Sequence, residues 1–463
     1  MSYIVSSDML VKPSLKFKDG KAESKYSILR LYPYELPRKT AMHVVSLTDH
    51  NVHIQRSDID RIFTGNNGQF PFRGAAFTKL NDIYPNLYLT FEDAKESDLE
   101  GIADSHQDKI ILAIHGGRGG TPNGGWVDDN IYYGSKIRAI NNFSRYQFVS
   151  YDHIASNDRY QKFNLWTQLI AKSDGTPWIV DNSNIQFTNN DTFIVGIAFS
   201  ILKGIITYGV AHFIDVNNMK QEVMLRPIGR EVPKGSLYLE TGELENILKT
   251  GISRFRDVSP NNSIRYGAPS LEKIARSGRR NLSIFIYKTT PLHHEEEAAI
   301  DDLISKSDTL GYDAIDVTHV HIKSENYGIP RIFDTGNYGS SYQYMNRQGT
   351  VIKILSIDSN NKGLAFRGDI IIGTTGIYDK RIGLGGTLGT PKPLLLSVHS
   401  TMDDPFRFLG NQIMAMSEMD WEYTGENYRL PFIIKYARRV SVFSHYIKSS
   451  KSFKPFIDIR DIM

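Results

Sequence analysis

The chain has 463 residues, with 54 Lys and Arg against 51 Asp and Glu, and it contains no cysteine. This length predicts roughly two to four domains, and the lack of cysteine excludes disulfide scaffolds, cysteine-ligated zinc or iron–sulfur sites and a thiol nucleophile. A net charge of +3 with 40% hydrophobic residues is typical of a folded protein and does not by itself indicate a nucleic-acid binder.

The N-terminal segment lacks the apolar core and cleavage site of a signal peptide, so the expected location is the cytoplasm. One apolar stretch, from Thr192 to Ile214, is long enough to cross a membrane. Lys203 and Gly204 divide it into two runs rich in β-branched residues, and a lysine in the middle of a span is costly in lipid. The pattern therefore predicts a buried β-hairpin with strands Phe193–Ile201 and Ile205–Ile214, and no membrane association.

Between residues 106 and 178 the sequence alternates between strands and helices. Continuous apolar residues predict a buried parallel strand, and Asp128 is a preferred type of helix N-cap. In chain order the predicted elements are a strand at Asp108–His115, a glycine-rich loop at Gly116–Gly125, a helix from Asp128 through Ile140, a strand at Gln147–Tyr151 and a helix at Phe163–Ala171. This order predicts a small Rossmann-like unit.

The order of elements changes after the turn-rich segment 173–183, which is the predicted boundary between the two halves. After the hairpin come predicted helices at Leu244–Thr250 and Leu271–Ser277, a strand at Leu282–Tyr287, a helix at Glu295–Ser305, a strand at Asp313–His321 and helices at Asn411–Met419 and Ile434–Ile447. A long hairpin, a helix and further strands with flanking helices resemble the ribonuclease H arrangement. The chain is therefore predicted to be an α/β protein.

Seven local patterns connect the two halves to a known family. They are Ile131–Lys136 before Gln147, Leu169–Trp178, Phe193–Ala198, Ile284–Thr289, Arg331–Phe333, Leu388–Pro391, and Leu430–Phe432 with Tyr436 and Ala437. In this order they resemble the MID and PIWI domains of prokaryotic Argonautes, although the family's Gly-Thr-x-Pro turn lacks its spacer residue here. The resemblance implies a short Argonaute without N and PAZ domains. Its predicted parts are an N-terminal extension packed with MID at 1–105, the MID core at 106–178 and an RNase H-like PIWI domain at 179–463.

Four residues of the first half carry the donor groups that a phosphate requires. Tyr132 and Lys136 are four apart on the predicted helix and share a face, Gln147 opens the next strand, and Lys172 ends the next helix. The resemblance implies that this set binds the 5′-phosphate of a guide strand, with Tyr132 stacking on its first base. It also implies a structural Mg2+ held by Gln147 and the carboxylate of Met463. The alternative is a packed tyrosine with two solvated lysines.

The second half lacks carboxylates where ribonuclease H chemistry needs them to hold two divalent ions. The positions that the resemblance assigns to catalytic ligands are Ala198, Thr289 and Arg438. A methyl, a hydroxyl and a guanidinium group cannot assemble a magnesium site, so we predict a PIWI domain that binds nucleic acid without cutting it. The alternative is an autonomous guide-dependent nuclease, whose ligands would include Asp191, Asp313 or Asp316.

Three other motifs have simpler structural interpretations. His293 and His294 precede three glutamates at a predicted helix start, where acidic side chains favour the helix dipole, so a metal site is disfavoured. His319 and His321 share one strand face without a third ligand, which predicts a half-exposed face. The glycine loop Ile114–Gly120 lacks both a following Gly-Lys-Ser/Thr and a Gly-x-Ser-x-Gly elbow, so a flexible connection is predicted.

Basic residues gather in two stretches that flank the expected nucleic-acid cleft. The first runs from Arg254 to Arg280 and the second from Lys435 to Arg460. Arginine is suited to phosphate contacts. The residues expected to contact the nucleic-acid backbone are Arg279, Arg280, Arg438 and Arg439.

Residues and resemblance together predict a catalytically inactive short Argonaute that acts through a partner. It would load a short 5′-phosphorylated guide, expected to be RNA, and pair it with single-stranded DNA of invading plasmids or phages. The resemblance further implies an effector subunit with an Argonaute-associated (APAZ) module and a TIR, sirtuin-like or nuclease domain, activated by target binding, with a higher oligomer as one outcome. The remaining alternative is a non-enzymatic structural partner that binds no guide.

Overall fold

A computed structural model of the chain describes residues 2–10, 12–59, 84, 86–116, 127–155, 159–181, 191–213, 223–232, 237–258, 281–323, 349–357, 366–374, 393–402, 404–422, 430–447 and 457–463. The chain folds into two compact units. The large unit consists of residues 1–13, 181–419 and 426–444, and the small unit of residues 14–180, 420–425 and 445–463. The main division, between Val180 and Asp181, lies within the turn-rich segment 173–183. Both units are discontinuous in sequence, whereas the predicted domains are continuous.

The strands are, in chain order, β1 (Ser2–Met9), β2 (Leu15–Phe17), β3 (Gly20–Ala22), β4 (Ala41–Leu47), β5 (Tyr88–Ala94), β6 (Ile110–His115), β7 (Arg145–Ser150), β8 (Ile179–Val180), β9 (Asp191–Leu202), β10 (Ile205–Phe213), β11 (Val223–Val232), β12 (Asn281–Lys288), β13 (Ala314–Ile322), β14 (Thr350–Ile357), β15 (Phe366–Ile372), β16 (Leu394–Ser400) and β17 (Ile457–Asp458). The α-helices are α1 (Ile28–Leu31), α2 (Leu99–Ser105), α3 (Asp129–Asn141), α4 (Tyr151–Ala155), α5 (Arg159–Lys172), α6 (Thr241–Val258), α7 (His294–Ser305), α8 (Phe406–Glu418), α9 (Phe432–Ile447) and α10 (Ile459–Ile462).

The small unit is built on a parallel sheet with the strand order β5-β4-β6-β7. All six residues of β6 are buried, as the continuous apolar run predicted. Apolar residues of α2 and α3 pack on one face of the sheet, including Leu99, Ile102 and Ala139. A second, smaller sheet has the order β3-β2-β8. The predicted strand–helix–strand–helix order from β6 to α5 is confirmed.

The strands of the large unit form one sheet in the order β1-β14-β15-β16-β13-β12-β9-β10-β11. β9 and β10 are an antiparallel hairpin, and β12 runs parallel to its neighbours β9 and β13. Helices α6 and α7 cover one face, where residues such as Ile247 and Leu303 join a core with Val195 and Ile284. The structure therefore confirms the predicted α/β fold class and the predicted hairpin. The predicted helix at 271–277 lies outside the described residues.

Helix α9 packs against the opposite face of this sheet, where glycines replace side chains. A Cβ atom on Gly196 would lie 2.7 Å from the carbonyl oxygen of Ile433, and one on Gly209 would collide with the Ala437 carbonyl oxygen and the Ser441 amide nitrogen. Such distances are too short for any side chain, so the helix backbone can approach only a glycine here. This close packing fixes where α9 crosses the middle of β9 and β10.

Within the described residues, no helix is both long and apolar enough to cross a membrane. The apolar run that begins at Thr192 contains β9 and β10. The two strands are connected by a turn at Lys203 and Gly204, both of which have positive φ.

Candidate phosphate-binding pocket

Helix α3 presents the first two residues of the predicted pocket. Its N-cap is Asp128, whose side chain accepts a hydrogen bond from the amide of Asn130, and acceptors of this kind satisfy the otherwise unpaired amides of the first turn. Tyr132 and Lys136 are one turn apart on this helix. The Lys136 ammonium donates to the Tyr132 hydroxyl at 2.8 Å and lies 4.6 Å from the centre of its ring. The shared face that the sequence predicted is thus confirmed.

Helix α5 ends at the third residue, Lys172, whose side chain is completely buried. Its ammonium donates to the main-chain oxygens of Met463 at 2.6 Å, Tyr146 at 2.8 Å and Arg460 at 3.4 Å. The hydrogen bonds described for this ammonium go to main-chain oxygens, while the negative charges of Glu422 and Asp461 favour its charged form. A lysine in this setting is suited to binding an anion.

The two lysines meet at the main-chain oxygen of Met463, at the end of α10. Lys136 donates to this oxygen at 2.9 Å and to the oxygen of Ile462 at 3.4 Å, while Lys172 donates to it as well. Both lysines are at most 2% exposed. The alternative of two solvated lysines is therefore wrong, because their side chains lead from α3 and α5 into the interior of the small unit.

The pKa of Lys172 responds to its burial and to the second ammonium group beside it. Burial lowers the pKa of Lys172 well below its usual range, and the nearby Lys136 lowers it further. An anion bound between the two ammonium groups would relieve both effects, since it restores favourable interactions to the charged form.

Gln147 lies in β7, next to Tyr146. Its Nε2 donates to the Phe148 carbonyl at 3.1 Å, while its Oε1 is buried and has no hydrogen-bond partner within the described residues. None of the described hydrogen bonds joins Gln147 to the two lysines. A buried amide oxygen left unpaired is a hard oxygen donor of the type that Mg2+ prefers, and Gln147 is therefore the residue of the predicted pair whose oxygen is available to an ion.

Arg145 also contributes to the pocket, through contacts with α10 and the end of α5, and no motif in the sequence indicated it. Its guanidinium donates to Asp461 at 2.6 Å, to Asp174 at 2.5 Å and to the carbonyl of Lys172 at 2.7 Å. It thereby ties α10 to the end of α5. Although burial works against its charge, the neighbouring carboxylates led by Asp461 raise the pKa of Arg145. The signal available in the sequence was a basic residue opening β7 two positions before Gln147.

Arg460 belongs to the same support, which corrects its assignment to a basic stretch beside a nucleic-acid cleft. Its guanidinium lies 3.6 Å from Asp174 and 3.7 Å from Asp458, and it sits over the ring of Trp421. Its side chain is only 14% exposed, so it serves packing inside the small unit.

In the large unit, the three positions matched to catalytic ligands lie close together where β12 ends beside the middle of β9. Ala198 pairs with Gly209 in the hairpin, and the amide of Thr289 donates to the carbonyl of Ile197 at 3.3 Å. Arg438 follows Ala437, whose carbonyl oxygen lies against Gly209. The three side chains at this point are a buried methyl, a hydroxyl and an exposed guanidinium.

The three acids named as alternative ligands lie toward the other end of the same strands. Asp191 is the first residue of β9, Asp313 directly precedes β13, and Asp316 pairs with Ser283 near the start of β12. A strand rises about 3.3 Å per residue, so Asp191 and Ala198 are separated by about 20 Å along β9. At these positions the acids lie apart from Ala198 and Thr289 along the strands.

Lys288, which directly precedes Thr289, ends β12. Its side chain lies on the face of the sheet that α6 and α7 cover, opposite the face that contacts α9. It is 1% exposed and lies 2.5 Å from Glu296 of α7, which is equally buried. Glu296 also accepts the amides of His293 and Leu239. His293 accepts the Glu295 amide and completes a capping box with Glu296, so the predicted helix start is confirmed.

The prediction of a half-exposed face at His319 and His321 is wrong. Both side chains are buried, because β13 lies between β12 and β16 inside the sheet. Burial lowers the pKa of His321 to about 4 and that of His319 well below its usual range, so both rings are neutral at neutral pH.

Several predicted residues lie outside the described residues or apart from the pocket. The glycine loop is described only to Gly116, and Arg279 and Arg280 are not described. Arg439 lies beside the ring of Tyr436 on α9. Nothing in the geometry tests the assignment of these arginines to a nucleic-acid backbone.

No protein-family model matches the sequence, and no curated protein matches it either. Among solved structures, the chain is similar to Clostridium butyricum Argonaute bound to a guide DNA with a 5′ deoxycytidine and a 19-mer target DNA. The TM-score is 0.64 at 15% sequence identity, and the match covers 99% of this chain and 55% of that one. The chain has an Argonaute-like fold.

This fold confirms the predicted pairing of a Rossmann-like MID unit with an RNase H-like PIWI unit. The small unit contains the parallel sheet of the former, and the large unit contains the hairpin and mixed sheet of the latter. The chain spans about 55% of the length of the Argonaute that it matches.

Proposed function

We propose that this chain is a guide-directed nucleic-acid-binding protein whose small unit holds the 5′-phosphate of the guide. One observation carries the proposal: two buried ammonium groups, from Lys136 and Lys172, meet at a single main-chain oxygen. A phosphate offers both ammonium groups oxygen acceptors and negative charge, the partners of strong charge-assisted hydrogen bonds. The Argonaute-like fold supports a nucleic acid as the molecule that carries this phosphate.

The pocket residues have distinct roles in this proposal. Lys136 and Lys172 bind the phosphate oxygens through charge-assisted hydrogen bonds. Tyr132, held by Lys136, offers its hydroxyl to the phosphate and its ring to the first base. A Mg2+ held by Gln147 and the Met463 oxygen would neutralise further phosphate charge.

The finer proposal is recognition without cleavage. The guide is RNA and the target is single-stranded DNA from invading plasmids or phages, recognised by base pairing while the protein holds the backbone. Ala198, Thr289 and Arg438 supply no carboxylate to a divalent ion, so target binding has to be reported by another subunit. We propose an APAZ-containing effector with a TIR, sirtuin-like or nuclease domain in the cytoplasm as that subunit.

Binding of matched oligonucleotides tests the phosphate pocket directly. We expect RNA with a 5′-phosphate to bind the full chain at least about 100-fold more tightly than the same RNA with a 5′-hydroxyl, since each hydrogen bond to a charged group contributes about 1.5–3 kcal/mol. The double variant Lys136→Ala, Lys172→Ala should lose this preference. The matched control is Lys249→Ala, Lys306→Ala, two lysines at surface positions, which should keep it. Equal binding of both oligonucleotides by the native chain would refute the pocket.

A cleavage assay tests whether the chain recognises a target without cutting it. The guide-loaded chain is mixed with complementary single-stranded DNA and Mg2+ or Mn2+, with EDTA as control. We expect intact target that stays bound. Cleavage that EDTA abolishes would support the nuclease alternative instead, and recovery of the chain from cells without any short nucleic acid would support the structural alternative.

A further inference from the structure

A second cluster of titratable residues lies at the opposite edge of the parallel sheet from Gln147. His43 lies in β4, Glu92 in the edge strand β5, and His106 directly after α2. With the strand order β5-β4-β6-β7, the strand β6 separates this cluster from β7. The cluster is therefore distinct from the phosphate pocket, and all three residues belong to the small unit.

The spacing of the three side chains is that of metal ligands. Glu92 Oε2 lies 3.0 Å from His43 Nε2 and 3.7 Å from His106 Nε2. The three ligand atoms lie within 4.8 Å of one another. In a tetrahedral zinc site with bonds of about 2.0–2.2 Å, neighbouring ligand atoms are about 3.3 Å apart. The two measured separations lie on either side of that value.

A supporting hydrogen bond orients the most deeply buried ligand. His43 Nδ1 lies 2.7 Å from the Thr90 hydroxyl, which leaves Nε2 directed at Glu92. Metal-binding histidines commonly have their second nitrogen held in this way.

Lys109 is the group that opposes a cation here. Its ammonium lies 3.3 Å from His106 Nδ1, and the rings of His43 and His106 are stacked with centres 3.6 Å apart. Coordination therefore requires the His106 ring to turn and Lys109 to withdraw. Both side chains are partly exposed and can make these changes. This opposition provides a distinctive test, because a variant without the Lys109 charge should bind the metal more tightly.

We propose that His43, Glu92 and His106 form a binding site for a transition-metal ion of the Zn2+ type, with a fourth position for water. A set of two histidines and one glutamate suits zinc, since imidazole nitrogen and carboxylate oxygen are among its usual ligands, and three protein ligands leave one position for solvent. Bound zinc would join the edge strand β5 and the end of α2 to β4.

Zinc titration of the full chain, after removal of metals with a chelator, tests the site. We expect isothermal titration calorimetry to show one tight site for Zn2+, and Zn2+ but not Mg2+ to raise the Tm. Glu92→Gln and His106→Asn should each weaken zinc binding at least about tenfold. Lys109→Met should strengthen it several-fold.

Matched controls separate this site from adventitious histidines. His53 is exposed beside Asp93 on the same edge of the sheet, and His294 belongs to a separate group of two histidines and a glutamate. His53→Asn and His294→Asn should bind zinc as the native chain does. The proposal is overturned if the native chain binds no zinc, if Glu92→Gln and His106→Asn bind it unchanged, or if either control variant loses the site. Thermal unfolding without zinc confirms that each variant is folded, and the gain expected for Lys109→Met cannot arise from misfolding.

Discussion

Lys288 in the large unit and Lys172 in the small unit are both buried at the end of a regular element, yet their surroundings differ in charge. Lys288 contacts the carboxylate of Glu296 at 2.5 Å, whereas Lys172 donates to main-chain oxygens. Burial lowers both pKa values. Glu296 partly restores that of Lys288 through its charge and a direct hydrogen bond, and the charges of Glu422 and Asp461 partly restore that of Lys172. The first lysine is neutralised within the fold and has a structural role. The second donates to main-chain oxygens, and a bound anion would favour its charged form.

Burial of a lysine does not by itself distinguish a binding site from a structural contact. A buried ion pair satisfies itself and leaves little for a ligand. A buried ammonium that donates to main-chain oxygens, as Lys172 does, receives support from the charges of Glu422 and Asp461, to which a bound anion can add. Both lysines end an element of an α/β fold, so only the groups around them tell the binding site from the structural contact.

Removing the partner of Lys288 should have the largest effect. Glu296→Gln leaves a buried ammonium without its countercharge, and we expect the free energy of unfolding to fall by about 3–5 kcal/mol. Urea unfolding followed by circular dichroism measures this. The control Glu297→Gln, next along α7 and less buried, should change stability by less than about 0.5 kcal/mol. Similar losses in both variants would show that the ion pair is not what stabilises this region.

Adding a methyl group between the hairpin and α9 should have the next largest effect. In Gly209→Ala the new Cβ would collide with backbone atoms of Ala437 and Ser441, and overpacking of this kind costs about 1–3 kcal/mol. Gly242→Ala at the start of α6 is the control, because nothing lies within 4 Å of its Cβ. A lowered Tm for Gly209→Ala alone is expected. An unchanged Tm would mean that α9 does not approach the hairpin this closely, and the position of Arg438 would have to be revised.

A pair of isosteric variants compares the two lysines directly. Lys172→Met removes a buried charge without a carboxylate side chain bonded to it, so stability should stay equal or rise, while affinity for a 5′-phosphorylated guide falls about tenfold or more. Lys288→Met leaves Glu296 buried without its ion-pair partner. It should lower stability without altering the preference for 5′-phosphate over 5′-hydroxyl. Anisotropy titrations and thermal unfolding of both variants are the measurements. The reverse pattern would exchange the roles assigned to the two lysines.

The smallest expected effect is a dependence on pH, both of the stability of the chain and of its preference for a 5′-phosphate. Because burial lowers the pKa of Lys172 in the folded chain, the unfolded chain binds more protons between that lowered value and the ordinary lysine value, and stability rises with pH in this window. A bound phosphate favours the charged lysine, so the preference for a 5′-phosphate should decline as pH rises from about 7 to about 9, by at most about tenfold per pH unit. Lys172→Met should show no such slope, and a slope that persists in this variant would assign it to another group.

Local patterns predicted most of what depends on neighbours in sequence. Lys203-Gly204 between two β-branched runs indicated the hairpin, and both residues have the positive φ of a tight turn. Asp128 marked the start of α3, and the spacing of Tyr132 and Lys136 placed them on one helix face. These features follow from helix and strand periodicity, which acts over a few residues.

Long-range contacts produced what the sequence did not reveal. His319 and His321 alternate as on a half-exposed strand, yet their strand lies inside the sheet. Glu296 was interpreted as one of three acids that favour a helix dipole, and in the fold it also pairs with Lys288. The ligand spacing of His43, Glu92 and His106 depends on three separate segments, so no local motif signals it.

The α/β class, the order of the two units and the residue types of the pocket could be predicted from the sequence, because periodicity, capping residues and turn residues are local properties. Folding brings Lys136 and Lys172 to the same oxygen of Met463, and it places Arg145 where it can bind Asp461 of α10. Charge, burial and distance at a site are set by segments that are remote in sequence. The physical character of the pocket, two buried cations around one oxygen, therefore exists only in the folded chain.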